Sequence, residues 1–267
     1  MNTSGGNSVG CSDRILKSSH FAFTLVELLI VIAIIGILAS LTAAAVIRVS
    51  VFGKKTKARA QMSGLITATE SYGQDYGHFP ISQPLQDTLH AANWAGDYTY
   101  GGSLILAQPS VPNHALFATN NSEVLAILMN LPAYPGSSVP TADTGHLKNA
   151  KERIYLQADF SGDTTSPGVG NDLVYRDPWG NPYIISFDLN NNDQCQDAFY
   201  GLNNVSGNNQ TGANPGLYGL VNPDPAKNDD FQSHGNIMVW SAGPDGKIDP
   251  AKSADSDVNK DNILSWK

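Results

Sequence analysis

Hydrophobic positions are distributed unevenly along this 267-residue chain, and the strongest pattern lies near its N-terminus. Residues 28–47 form a run of twenty positions without an ionisable side chain. As a helix, such a run is about 30 Å long, which matches the hydrocarbon core of a bilayer. Farther on, largely apolar side chains recur at steps of three and four, as on one helix face, at Met62, Leu65, Thr69, Tyr72 and Tyr76. Together the two patterns predict one long helix over residues 23–76, with a transmembrane part at 23–47.

Beyond the long helix, short apolar stretches alternate with Gly, Pro, Asn and Asp, as in a small sheet with long loops. Gly77 and Pro80 are expected to end the helix. Residues 122–129 are predicted to form a short helix and residues 151–156 a further short element, while residues 172–187 indicate strand, turn and strand. The predicted fold class is α+β, with the long N-terminal helix packed on a small antiparallel sheet.

The apolar run of residues 28–47 is open to four interpretations: a buried core helix, a cleaved secretory signal, a simple membrane anchor and a prepilin N-terminus. The run is long for a core helix or a signal peptide. A signal peptide also has a basic residue at the leading edge of its apolar part, where this chain has Glu27. A carboxylate at the edge of a membrane span is costly and normally has a partner, so Glu27 is a candidate functional residue.

Residues 21–39 have the sequence FAFTLVELLIVIAIIGILA. This segment closely resembles the leader junction and transmembrane helix of type IV pilins and type II secretion pseudopilins, which have a pilin-like α+β fold. The resemblance implies that a prepilin peptidase cleaves after Ala22, removes a leader of residues 1–22, and leaves Phe23 as the methylated N-terminus. It also implies that Glu27 pairs with the α-amine of a neighbouring subunit during assembly. The family has Gly before the cleavage point, where this chain has Ala22.

Two segments of the C-terminal part resemble the major pseudopilin of type II secretion. They are the Asp-Pro-Trp-Gly-Asn-Pro-Tyr core at residues 177–183, and residues 235–267, in which a last strand leads into a Gly-x-Asp-Gly turn and an acidic loop. In the family this loop, here residues 241–267, binds Ca²⁺. The resemblance implies as ligands the side chains of Asp245, Asp261 and Asn262 and the carbonyl group of Ala242.

Asp255 and Asp257 form a second pattern that is typical of calcium ligands. Acids that alternate along the chain can direct their hard oxygen atoms towards one ion. They lie in a stretch that makes the loop longer than is usual in the family. A solvated acidic tail is the alternative interpretation of the same residues. The sequence therefore predicts calcium as the cofactor and leaves the number of sites open.

Composition narrows the possible functions further. The formal net charge is −8, and only 15% of the residues are charged. An acidic chain lacks the excess of Lys and Arg that binding to nucleic-acid phosphates requires, so no nucleic-acid partner is expected. Two cysteines, Cys11 and Cys195, are too few for a disulfide scaffold or a Cys-based zinc site. The sequence contains no nucleophile elbow, phosphate loop, dinucleotide fingerprint or metalloprotease motif, and we do not expect an enzyme.

These observations and the resemblance predict a structural subunit of a periplasmic pseudopilus in type II protein secretion. Its expected partners are a prepilin peptidase and methyltransferase, further copies of itself, other pseudopilins and an inner-membrane assembly platform. The expected location is the inner membrane, crossed once, with residues 77–267 as a periplasmic head. Within the head, residues 81–170 have no counterpart of that length in the family and are interpreted as an insertion.

Two alternatives remain at this point. The first is a subunit of a type IV pilus or a minor pilin, which would share the N-terminal motif. The second belongs to another class of protein, a membrane-tethered glycan-binding or hydrolytic domain, with residues 81–170 and Trp179 forming the binding site. Trp179 is also expected to pack against the long helix, since a large aromatic side chain is more often part of a core.

Overall fold

The computed structural model describes residues 24–208, 215–224 and 226–267, and describes no side chain at 41–45 or 47. The chain divides into two compact units, Met1–Val49 and Ser50–Lys267. The second unit, which we call the head, contains the sheet and the hydrophobic core.

The long N-terminal helix, α1, extends over Leu25–Tyr76 and confirms the predicted helix within the described residues. It ends at Gly77, which has a φ of 72° and donates its N–H to the carbonyl group of Gly73 at 2.7 Å. A residue at this φ is most easily a glycine, so the predicted helix stop is confirmed. Among the described residues, no helix reaches the length and apolarity that a membrane crossing needs. The predicted span of 23–47 includes Phe23 and the side chains at 41–45 and 47, which lie outside those residues.

The head follows with short helices and strands. The helices are α2 (Gln83–Ala91), α3 (Gly102–Leu106), α4 (Ser122–Leu128) and α5 (Asn203–Ser206). The strands are β1 (Tyr98–Tyr100), β2 (Gly168–Val169), β3 (Tyr175–Arg176), β4 (Ile184–Phe187), β5 (Gln194–Cys195), β6 (Ser233–His234), β7 (Ile237–Ser241) and β8 (Ile263–Leu264). Single turns of 3₁₀-helix lie at Leu116–Ala118, Thr144–His146, Leu217–Gly219, Gly243–Asp245 and Asp257–Asp261.

The central sheet has the strand order β1-β4-β7-β8, and every neighbouring pair is antiparallel. The register pairs Tyr100 with Ile185, Ile185 with Val239, and Trp240 with Leu264. Strands β2 and β3 form a separate pair, as do β5 and β6. The predicted α+β class with a small antiparallel sheet is therefore confirmed. Strand β1 comes from the segment interpreted as an insertion, so this segment supplies an edge strand of the central sheet.

One face of α1 packs into the core of the head, as its periodicity predicted. Met62, Leu65, Thr69 and Tyr72 are buried, and Tyr76 is partly buried. Burial of each large apolar side chain contributes about 1.5–3 kcal/mol relative to exposure. The hydroxyl group of Tyr183 in turn donates to the side-chain oxygen of Gln61 at 2.8 Å, which connects the sheet region to the same helix.

The short helix predicted at residues 122–129 is confirmed by α4, and residues 172–187 form strand, turn and strand as predicted. The short element predicted at residues 151–156 is wrong, because this segment forms neither helix nor strand. Instead the N–H groups of Tyr155 and Leu156 both donate to the carbonyl group of Leu128, at 2.8 and 3.1 Å. The end of α4 thus satisfies these groups, and no regular element is needed.

Candidate functional site

The N-terminal end of α1 is closed by a reciprocal pair of side chains. Thr24 accepts the N–H of Glu27 on its hydroxyl oxygen at 3.2 Å, and Glu27 Oε2 accepts the N–H and the hydroxyl group of Thr24 at 2.8 and 2.7 Å. This is a capping box, which satisfies backbone donors that a helix start leaves free. The sequence indicated Glu27 as a functional residue but not Thr24, although the Thr-x-x-Glu spacing is typical of a capping box. The cleavage and methylation residues, Ala22 and Phe23, lie outside the described residues.

The first turns of α1 expose an unusual amount of apolar surface. The large apolar side chains there are between 44% and 79% exposed: Leu25, Val26, Leu28, Leu29, Ile30, Val31, Ile32, Ile34, Ile35, Ile37 and Leu38. Contiguous apolar surface of this extent on a protein marks a contact with another protein or with a membrane. This part of the helix can therefore bury its side chains only against something outside its own unit of the chain.

In the C-terminal part of the chain, the Asp-Pro-Trp-Gly-Asn-Pro turn is hydrogen-bonded to the start of the acidic loop. The buried Asp177 accepts the N–H groups of Trp179 and Asn181, at 2.8 and 2.9 Å, and the hydroxyl group of Ser241. Asn181 Nδ2 donates to the carbonyl group of Gly243 at 2.7 Å. Burial raises the pKa of Asp177, and these donors oppose that effect. The turn that resembles the pseudopilin motif therefore positions the entrance of the acidic loop.

The two ends of the acidic loop approach each other at Gly243. This residue has a φ of 67°, and a Cβ atom there would lie 2.4 Å from the carbonyl oxygen of Asp261. Only glycine allows both this backbone conformation and this approach. Burial, and then the negative charge of Asp245, raise the pKa of Asp261, so the two carboxylates repel each other electrostatically. The predicted ligand Ala242 is fully buried immediately before Gly243.

Two buried oxygen atoms at this point have no hydrogen-bond partner: Oδ1 of Asp261 and Oδ1 of Asn262. The amide nitrogen of Asn262 donates to the hydroxyl group of Tyr200 at 2.9 Å, which orients its oxygen away from that partner. Leaving a buried acceptor unsatisfied costs about 1–3 kcal/mol. Carboxylate and amide oxygens are also the ligands that Ca²⁺ prefers. Asp245, Asp261 and Asn262 therefore offer oxygen atoms of the kind that Ca²⁺ binds.

Asp255 and Asp257 make other contacts. Asp255 accepts the hydroxyl group of Ser253 at 2.7 Å, and Asp257 lies 3.9 Å from the ammonium group of Lys252. Within the described ranges, no group of three or more His, Cys, Asp or Glu side chains is placed to hold a metal ion. Asp255 and Asp257 are thus engaged by Ser253 and Lys252, while the charge of Asp245 acts on Asp261.

Asn259, which the sequence did not indicate as a structural residue, organises the lengthened stretch of the loop. Buried Asn259 accepts the N–H of Asp249 at 2.9 Å and donates to the carbonyl groups of Asp249 and Lys252 at 2.8 and 2.9 Å. A single Asn in a polar stretch gives no sequence signal for such a role. Asn259 thus connects Asp249 and Lys252 within this stretch, and the carboxylate of Asp249 adds a bond from the N–H of Ala251 at 2.9 Å.

The alternative site combined residues 81–170 with Trp179, but a cleft of about 250 Å³ that is lined by Leu89, His90 and Trp94 does not include Trp179. A cleft of about 520 Å³ lies between the C-terminal turns of α1 and the start of β7, lined among others by Glu70, Phe79 and Asn236. Trp179 is not one of its lining residues; it is partly buried, with the Lys54 ammonium group 5.9 Å from its ring. Trp179 therefore packs beside Lys54, near the middle of α1.

Comparison with protein families gives a match at residues 17–43, to the model of the prokaryotic N-terminal methylation motif. The matched segment includes Ala22, Phe23 and Glu27. The motif indicates a type IV pilin-like substrate of prepilin peptidase, with processing and pilin-type polymerisation, and a membrane-anchored extracytoplasmic protein. No curated protein and no solved structure matches the chain.

Proposed function

We propose that this chain is a structural subunit of a type II secretion pseudopilus. In this proposal the first part of α1 holds the subunit in the inner membrane before assembly, and the head faces the periplasm. The observation that carries the proposal is the coincidence of the methylation motif with the exposed apolar side chains that begin at Leu25. Lipid covers these side chains before assembly and the helices of neighbouring subunits cover them in the fibre.

The proposed mechanism is assembly, with no catalytic step by this chain. Cleavage after Ala22 creates a positively charged α-amine at Phe23, and an incoming subunit pairs that amine with Glu27 of its neighbour. Glu27 Oε2 already has two donors from Thr24, so the amine adds a charge-assisted hydrogen bond to a carboxylate held in place. An unpaired carboxylate in an apolar fibre core would cost several kcal/mol, so pairing also sets the axial register.

The C-terminal part of the head supports the type II assignment over a type IV pilus or a minor pilin. The turn at Asp177 and the acidic loop resemble the major pseudopilin, and Gly243 and Asn181 connect the two. In the proposal, Asp245, Asp261 and Asn262 hold a calcium ion whose charge neutralises the two carboxylates. The residues of this chain keep the ends of the loop together, which gives the head a defined surface for contacts with other pseudopilins and the assembly platform.

Three substitutions separate the charge of Glu27 from its capping role. Gln can replace Glu in a capping box, so Glu27→Gln keeps the cap and removes the charge. Thr24→Ala removes the capping partner and keeps the charge. We expect Glu27→Gln and Glu27→Ala to reduce fibre yield more than tenfold, and Thr24→Ala to reduce it by less than threefold. Fibre yield is measured by immunoblotting the fraction sheared from cells.

The control is the mass and N-terminal sequence of the mature protein from each strain. All three variants should begin at methylated Phe23, since the substitutions follow the cleavage point. Wild-type fibre yield in Glu27→Gln would contradict the charge-pairing mechanism. A mature chain that begins elsewhere than Phe23 would contradict the pilin-type assignment altogether.

A further inference from the structure

A buried carboxylate in the segment 81–170 has one oxygen atom without a partner. Asp143 is 0% exposed, and its Oδ1 accepts the N–H groups of Lys148 and Asn149 at 3.1 and 2.9 Å. Its other oxygen, Oδ2, is buried and accepts no hydrogen bond. Such an oxygen is costly in a folded protein and marks a position where an ion or a donor from outside can bind.

The side chain that this oxygen faces is an imidazole. His146 Nδ1 lies 3.8 Å from Asp143 Oδ2 and donates a hydrogen bond of 2.7 Å to the side-chain oxygen of Asn130. The His146 side chain is 28% exposed, so the cluster is open to solvent on one side. The ring nitrogen of His146 therefore lies close to two side-chain oxygen atoms, one from Asn130 and one from the buried Asp143.

We propose that Asn130, Asp143 and His146 form a binding site for a divalent transition-metal ion of the zinc class. Imidazole nitrogen and carboxylate oxygen are the usual ligands of such ions, at about 2.0–2.2 Å. Two atoms that share an ion at that distance lie about 3.0–3.5 Å apart, and the two separations measured at His146 Nδ1 bracket this range. On binding, the ion displaces the Nδ1 proton of His146 to solvent and replaces the hydrogen bond to Asn130, and solvent at the exposed edge of His146 completes the coordination. The third protein ligand, Asn130, contributes an amide oxygen. Only two of the three ligands are therefore His, Cys, Asp or Glu side chains.

The surrounding backbone holds the three ligands in position. Asn130 Nδ2 donates to the carbonyl group of Glu152 at 3.1 Å, which directs its oxygen to His146. The N–H of His146 donates to the carbonyl group of Asp143 at 2.9 Å. Asn130 and His146 both have positive φ values, 57° and 55°, which residues with a side chain rarely adopt. Partners that fix the orientation of the ligands are a general feature of metal sites.

The position of the site gives it a structural consequence. Asn130 follows α4, and Asp143 begins the segment that binds the end of α1. Within that segment the carbonyl group of Lys148 accepts the hydroxyl group of Tyr72 at 2.7 Å, and Asn149 Oδ1 accepts that of Tyr76 at 3.1 Å. An ion at the site would fasten α4 to this segment. The inference is independent of the calcium site and of the pseudopilus assignment.

The test uses the full chain purified in detergent and stripped with a chelator. Titration with CoCl₂ should produce a visible absorption band that saturates at one ion per chain, and ZnCl₂ should abolish it. His146→Gln and Asp143→Asn should weaken Co²⁺ binding more than tenfold. The matched control is His234→Ala, which removes an exposed imidazole on β6. It should leave binding unchanged, as should a millimolar excess of CaCl₂.

His146→Gln decides the outcome, since its partly exposed ring can be replaced without disturbing the core, which circular dichroism verifies. A saturable band that is lost in His146→Gln and kept in His234→Ala supports the site. The absence of a band in the wild-type chain would overturn the proposal. Equal Co²⁺ affinity of wild type and His146→Gln would overturn it as well.

Discussion

The first unit of the chain exposes large apolar side chains, whereas the head buries both apolar and polar side chains. In the first unit the large apolar side chains from Leu25 to Leu38 are exposed. In the head, polar side chains are buried and bonded to backbone groups, among them Asn121, Asn149, Asp177, Asp197 and Asn259. The large apolar side chains of the first unit are therefore left uncovered within that unit, whereas these five buried polar side chains of the head are hydrogen-bonded to other groups of the head. The difference separates residues selected for assembly from residues that determine the fold.

The largest expected effect comes from removing a buried carboxylate of the head. Asp197 is fully buried and accepts four hydrogen bonds, from the N–H groups of Phe199 and Tyr200, the hydroxyl group of Ser186 and the indole N–H of Trp240. Asp197→Ala leaves four donors unsatisfied in the core. We expect a loss of about 3–5 kcal/mol in the free energy of unfolding, measured by urea titration with circular dichroism.

Asp255→Ala is the control for this substitution, because Asp255 is exposed and outside the core. Its expected effect is within about 0.5 kcal/mol. If Asp197→Ala unfolded at the same urea concentration as Asp255→Ala, the head would not depend on its buried polar groups. The contrast between the two units would then rest on the apolar residues alone.

The parts of the fold that sequence predicted correctly have local signals. Helix α1, its end at Gly77 and the strand–turn–strand of residues 172–187 follow from periodicity and from punctuation by Gly and Pro. The role of Asn121 had no such signal: its side chain donates to the carbonyl groups of Tyr175 and Tyr183 and accepts the N–H of Tyr175. These partners are more than fifty positions away in sequence. Long-range pairing of this kind appears only once the chain has folded.

The residues of the candidate sites likewise divide into those with a local sequence signal and those without one. Glu27 was identified because a charge next to an apolar run is conspicuous, and Asp245 and Asp261 because of a family resemblance. Asp255 and Asp257 were grouped with them by spacing, but the hydrogen bonds of Asn259 organise that stretch separately. Spacing alone could not reveal this, because a loop can bring any of its acids to an ion.

A matched pair of substitutions within α1 sharpens the comparison. Leu65 is 1% exposed and Ile35 is 59% exposed. Leu65→Ala removes packed core atoms and should lower the free energy of unfolding of the head by about 2–5 kcal/mol. Ile35→Ala should leave the stability of the head unchanged and reduce fibre yield, because Ile35 is buried only in the fibre or the membrane. Urea unfolding and the sheared-fibre assay measure the two effects.

A destabilised head in Ile35→Ala together with a normal fibre yield would contradict the distinction between the two units. Val49→Ala extends the series, since its side chain is also exposed and lies at the end of the first unit. It should behave like Ile35→Ala in the unfolding measurement.

The smallest expected effect concerns the acidic loop, where the head leaves Asp261 Oδ1 and Asn262 Oδ1 unsatisfied. A ligand that binds only the folded state at one hundred times its dissociation constant stabilises it by about 2.7 kcal/mol. For a chain of this size, that corresponds to a rise of roughly 5–10 °C in melting temperature. We expect such a rise when CaCl₂ is added to the chelator-treated full chain in detergent.

Two variants locate the calcium effect within the loop. Asp261→Asn should abolish the rise, whereas Asp257→Ala should retain it, because the Asp257 carboxylate lies 3.9 Å from the ammonium group of Lys252 and has no unsatisfied buried oxygen. An equal melting temperature with CaCl₂ and with chelator would contradict the calcium site. Loss of the rise in Asp257→Ala would require the loop to rearrange around the ion. Retention of it in that variant would exclude Asp257 as a ligand and leave the ion to Asp245, Asp261 and Asn262, two of which have an unsatisfied buried oxygen.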